Sequence, residues 1–80
     1  MYRIRRAAIT KAFAEGNAQN TLTAYPVADG FVLTINDNAI LETERGKIRT
    51  FNQLNTLYAM VKELPNVCKF TVSLQPSNQI

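Results

Sequence analysis

Histidine and tryptophan are absent from these 80 residues, and cysteine occurs once, as Cys68. Each shortage excludes a chemistry. Without histidine there is no side chain that ordinarily titrates near neutral pH, so Ser-His, Cys-His and His-metal arrangements have no members in this sequence. One cysteine makes no intramolecular disulfide and no thiolate metal cluster. Three glycines and three prolines stand apart as Gly16, Gly30 and Gly46 and as Pro26, Pro65 and Pro76. They punctuate turns and form no glycine-rich phosphate loop. No apolar run approaches the roughly 18 residues that span a bilayer. The basic start, Met1 to Arg6, leads into no continuous apolar stretch, because Thr10 and Lys11 interrupt it. These shortages point away from an enzyme, a cofactor or metal protein, a membrane protein and a small-molecule binder. A lone cysteine fits a reducing, cytoplasmic setting.

The sequence is 46% hydrophobic and 19% charged, the balance of one small globular domain with a thin core. Its formal charge of +3 is unevenly placed. Arg3, Arg5, Arg6 and Lys11 face only Glu15 in the first fifteen residues, and the other sixty-five are neutral in sum. The expected plan is a single domain over residues 1–80. Residues 1–17 form a basic arm or helix, residues 18–75 a sheet-helix-strand core, and residues 76–80 a frayed tail.

Alanine-rich residues 4–15 favour helix, with Ile9 and Phe13 one turn apart. Tyr2, Ile4 and Ala8 also permit a short first strand, and both readings stay open for residues 2–15. From Thr21 to Asn36 two alternating runs flank Asp29-Gly30, a favoured hairpin loop. That loop pairs 26 with 33 and 24 with 35. It places Leu22, Ala24, Pro26, Ala28, Phe31, Leu33 and Ile35 on one face, and Thr23, Tyr25, Val27, Val32 and Thr34 on the other. Pro26 donates no hydrogen bond, which suggests an edge strand. Asn36-Asp37-Asn38 reads as a turn.

A second hairpin is expected from Ala39 to Phe51. An Arg45-Gly46 loop sets Glu44 against Lys47 and Glu42 against Arg49. A three-residue turn with a bulge at Gly46 shifts that register. Leu54, Leu57, Tyr58, Val61 and Leu64 form a helical stripe over 51–64, with Thr50 or Asn52 as cap and Pro65 as stop. Cys68, Phe70, Val72 and Leu74 then alternate inward against Lys69, Thr71 and Ser73. The fold class is therefore α+β, in two layers. It has an antiparallel four- or five-stranded sheet, one amphipathic helix packed on it, and an N-terminal helix.

Two surfaces carry the functional expectations. Arg3, Arg5, Arg6 and Lys11, helped by Arg45, Lys47, Arg49 and Lys69, suit the phosphates of a nucleic acid. Phe51 adds an aromatic ring on the face of Lys47 and Arg49. Against this stands neutralisation of Lys47 and Arg49 by Glu44 and Glu42 across the hairpin. The second surface is the outer sheet face, Tyr25, Val27 and Val32, or the sheet edge beside it, as a site for a protein partner or for self-association. The N-terminal helix covering that face is the competing reading.

The stretch from Ile40 through Glu42, Glu44, Lys47, Phe51 and Leu57 to Leu64, with Lys69-Phe70-Thr71-Val72 after it, resembles segments of small orphan proteins carried by bacterial plasmids, integrative elements and phages. The resemblance spans residues 40–74. It implies an accessory protein of a mobile element and assigns no residue a role. The basic residues make a nucleic-acid-binding module the leading expectation. A protein-interaction or inhibitor module of such an element, with a homodimer as one form of it, is the alternative.

Overall fold

The computed structural model describes residues 1–16, 19–77 of the chain. Its elements run β1 (Tyr2–Arg5), α1 (Arg6–Glu15), β2 (Asn20–Val27), β3 (Gly30–Ile35), β4 (Ala39–Glu42), α2 (Leu54–Lys62) and β5 (Val67–Val72). The five strands form one sheet in the order β1-β4-β3-β2-β5. The fold is α+β, and the sheet is mixed. The inner pairings β2–β3 and β3–β4 are antiparallel, whereas the outer pairings β1–β4 and β2–β5 are parallel. The α+β class and both expected helices are present; the purely antiparallel sheet is corrected to a mixed one, and the N-terminal helix packs on it beside the amphipathic one.

The parallel pairings explain why two helices are needed. Strands β1, β4, β2 and β5 all run one way, and β3 runs back. Parallel strands require a crossover, and α1 supplies it from β1 to β2 while α2 supplies it from β4 to β5. Both crossovers step across the sheet in the same direction. The right-handed rule therefore puts both helices on the same face. The core agrees with this: Ile9 and Phe13 of α1 and Leu57 and Val61 of α2 join Leu22, Ala24, Leu33, Ile35, Ala39 and Leu41 in one apolar cluster.

The N-terminal segment is strand and helix in succession. Ile4 turns inward to the core, so Arg3 and Arg5 point to the opposite face. Strand β1 lies at the sheet edge, where alternating arginines discourage further pairing.

The β2–β3 hairpin forms with its expected faces but a different register. Val27 pairs with Gly30, Pro26 with Phe31 and Ala24 with Leu33, so Ala28 and Asp29 make the turn. A slip of two residues leaves every side chain that stays in the ladder on its predicted face, since the strand period is two; Ala28, expected opposite Phe31, moves into the turn. Gly30 opens β3 at φ 142, and a neighbour crowds it as well: a Cβ there would lie 2.0 Å from the Phe51 carbonyl oxygen. Phe31 and Phe51 exchange backbone hydrogen bonds beside it, each 2.8 Å.

Strand β2 is interior, which corrects the edge assignment drawn from Pro26. The proline fits for a local reason. Phe31 turns its backbone groups toward Phe51, so Pro26 opposite it faces away from β3, toward β5. The amide of Ser73 donates to Ala24 at 2.9 Å, and the next donor that β2 would offer to β5 is that of Pro26, which has none. The β2–β5 ladder ends there.

The second hairpin does not form as a pair of strands. Beyond Glu42 the chain turns through residues 43–47 and returns as isolated bridges, Ile48 to Glu42 and Phe51 to Phe31. Thr43 donates to the Lys47 carbonyl, and Gly46 holds φ 82. This is the three-residue turn, and Glu42 faces Ile48 instead of Arg49. Helix α2 begins later than its stripe suggested, at Leu54, with no side-chain cap from Thr50 or Asn52. Tyr58 lies at the rim, stacked on Phe70 with ring centroids 6.1 Å apart.

Strand β5 contains a bulge. Asn20 pairs with Val67 and Thr21 with Lys69, leaving Cys68 as the extra residue. Val67 and Phe70 therefore both pack toward the core. Cys68, expected inside, is exposed, and Leu74 is 93% exposed. Asparagines tie the chain reversals at this end together. Asn66, at φ 55, donates to the Phe13 carbonyl, Asn20 donates to the Asn66 carbonyl, and Asn36 donates to the Asn20 side chain.

Candidate nucleic-acid interface

The parallel β1–β4 register places Arg5 directly beside Glu42. The guanidinium meets Glu42 at 3.6 Å and Glu44 at 3.8 Å. Arg6, first residue of α1, pairs with Glu63 at the end of α2. Arg3, on the same face of β1 as Arg5, donates from Nη1 to the Gly46 carbonyl at 2.7 Å. Three of the four early cations are thus built into the fold, and Lys11 stands on the solvent side of α1. The basic segment is a structural strand and helix with its charges partly satisfied, not a free arm.

The same interactions release other cations. The turn register sets Glu42 opposite Ile48, and Arg5 engages Glu42 and Glu44, so the hairpin pairing with Arg49 and Lys47 does not occur. Among the described residues, Arg45, Lys47 and Arg49 have no carboxylate partner. Arg49 instead lays its guanidinium over the Phe51 ring, 4.8 Å from the centroid. The bond from Arg3 to Gly46 brings the 43–47 turn against β1. Arg3, Arg5 and Arg6 and the turn cations Arg45, Lys47 and Arg49 therefore lie along this side of the sheet with Glu42, Glu44 and Glu63, a local surplus of three positive charges.

An open groove of about 390 Å³ borders this corner, between the ends of β4 and α2. Its charged lining is Arg6, Glu42, Glu44, Arg49 and Glu63. Phe51 is buried in the core under Arg49, so it offers no ring for a base to stack on. Lys69 lies on β5, at the opposite edge, about 19 Å away at the usual strand spacing. It belongs to a separate surface.

The outer face differs from expectation too. Helix α1 packs on the inner face and leaves Tyr25, Val27 and Val32 uncovered by any helix. Val32 is nevertheless only 2% exposed, and Thr34 and Ile40 beside it are also buried. Tyr25 and Val27 are half-buried, with Pro76 and Ser77 of the C-terminal segment alongside them. Val32 is therefore removed from the candidate protein interface.

Among the described residues no three of His, Cys, Asp and Glu come together in a way that holds a metal ion, and no helix is long and apolar enough to cross a membrane. Comparisons with known protein families, with curated proteins and with solved structures give no match.

Proposed function

We propose that this protein is a small non-enzymatic binding module that grips the phosphate backbone of nucleic acid with the corner formed by Arg3, Arg45, Lys47 and Arg49. One observation carries the reading: Arg5 occupies both carboxylates that would otherwise neutralise the hairpin cations. Unpaired cations close together displace condensed counterions from a phosphate backbone, and each such pairing adds favourable, salt-sensitive free energy. Phosphate contacts position a protein without reading sequence. The buried Phe51 offers no ring for stacking beside Arg49, which leaves Tyr2 as the exposed ring next to Arg3, whereas a single-strand binder stacks successive bases on aromatic rings. The expected ligand is therefore a duplex, bound with little sequence preference.

Fluorescence anisotropy with a labelled duplex of arbitrary sequence tests this. Binding is expected near 50 mM salt and is lost as salt rises, because several phosphate contacts are strong in that range. Absence of binding to duplex at that salt overturns the proposal. Tighter binding to a single strand contradicts the geometry.

A second reading, a protein-interaction module, is favoured by one feature of the opposite edge. Strand β5 is a six-residue edge strand with a single charge, Lys69.

A further inference from the structure

The two sheet edges are protected unequally. Strand β1 carries Arg3 and Arg5 at alternate positions, and both make contacts that hold charge along that edge. Among the described residues, strand β5 has no such guard. Its outward backbone groups can be assigned from the ladder. Ser73 donates to Ala24, and parallel strands alternate the direction of successive residues, so Lys69, Thr71 and Ser73 point toward β2. Phe70 and Val72 then point their amide and carbonyl groups away from the sheet. An apolar patch adjoins this open edge: Tyr58 is 50% exposed, Val72 38%, and Leu74 almost fully.

We infer that β5 pairs antiparallel with β5 of a second copy of this chain, around a twofold axis at Thr71, to make a continuous ten-stranded sheet. Three constraints exclude an axis at Lys69, and the axis at Thr71 meets all of them while placing an aromatic against a β-branched residue on the helix side. Opposed residues must both turn their backbone groups toward the partner, which is satisfied by Phe70 with Val72 of the second copy, and the reverse, for four hydrogen bonds. Opposed side chains must share a face, and Phe70 with Val72 is a favourable aromatic and β-branched pair on the helix side, while Thr71 meets itself on the other. Lys69 must avoid its own copy; here it faces Ser73, whereas an axis at Lys69 sets two cations together.

A second copy is the occupant because the strand complements itself in hydrogen bonding and apolar surface at once, and its one cation, Lys69, meets Ser73 and not its own copy. The closed, isologous arrangement also consumes the unguarded edge, whereas pairing β5 with the arginine-bearing β1 builds an open polymer. The inference stands apart from the nucleic-acid reading, since the basic corners lie at the two far ends of such a sheet.

Sedimentation equilibrium and mild oxidation of the full chain test it. The expected mass is twice the 9.0 kDa of one chain. In a Cys68→Ser background, Thr71→Cys is expected to form an intermolecular disulfide. Opposed residues of a non-hydrogen-bonded pair lie about 4.5 Å apart at Cα, within disulfide reach. In the same background, Lys69→Cys is expected to stay unlinked. Thr71 is exposed and outside the core, so Thr71→Lys is expected to keep the fold by circular dichroism. It is expected to weaken the dimer by about tenfold or more through like charges on the axis. A monomeric wild type overturns the inference. So does a dimer that ignores Thr71→Lys, or one that cross-links through position 69 in place of 71.

Discussion

At the residue scale, Gly30 shows how one position is dictated by a distant one. Its φ of 142 lies outside the range L side chains favour, and Phe51 stands against it 21 residues later in the chain. A methyl group there meets backbone, which has no rotamer to yield. Gly30→Ala is therefore expected to destabilise the domain by about 3 kcal/mol or more, from backbone strain and overlap together. Thermal or urea unfolding checks this, and a loss under about 1 kcal/mol contradicts the account of the site. Gly46 is a useful contrast. Its φ of 82 also favours glycine, but open space surrounds it, so a side chain there meets only the conformational cost. Arg5 acts at the same scale on function: one guanidinium between two carboxylates decides which other cations are free.

At the element scale, the stripe of α2 and the Ile9–Phe13 pair of α1 support the sheet together. Leu57 is fully buried within the cluster that also holds Phe13 and Leu33. Leu57→Ala is expected to cost about 2–5 kcal/mol, as forfeited transfer energy plus a cavity. A urea midpoint little changed from wild type contradicts the placement of α2 over the sheet centre. The same residues show what the sequence made legible. The apolar alternation of β2 and β3 assigns each side chain to its face, because period two survives a two-residue slip. The register itself was not legible, since the crowding of Gly30 by Phe51 is non-local. For the same reason Pro26 misled: it marks where the β5 ladder ends, and not an edge. The bulge that exposes Cys68 was also hidden, because a clean alternation from Cys68 to Leu74 looks the same with or without an extra residue. The basic corner was legible in its members but not in its pairing. Only the parallel β1–β4 pairing, made by strands more than thirty residues apart, diverts Glu42 and Glu44 to Arg5.

At the scale of the whole molecule, the +3 charge takes on a different meaning. The sequence concentrates it in the first fifteen residues, but folding satisfies most of those cations internally. Arg5 and Arg6 find carboxylates and Arg3 a carbonyl. The uncompensated charge moves to the turn at 43–47 and to Arg49. The molecule thus has a basic corner beside β1 and an unguarded, nearly uncharged edge at β5. The two features sit at opposite sides of one sheet, so a β5-paired dimer presents a basic corner at each end.

The most direct test of the binding corner is the slope of log affinity for duplex DNA against log salt, compared between wild type and two variants. Arg45→Gln, Lys47→Gln and Arg49→Gln together are expected to reduce the slope by roughly one for each phosphate that is no longer neutralised, so by about two to three. Lys69→Gln, at the far edge, is expected to leave it unchanged. A wild-type slope that the triple variant preserves, or that Lys69→Gln alone removes, contradicts the assignment of the corner.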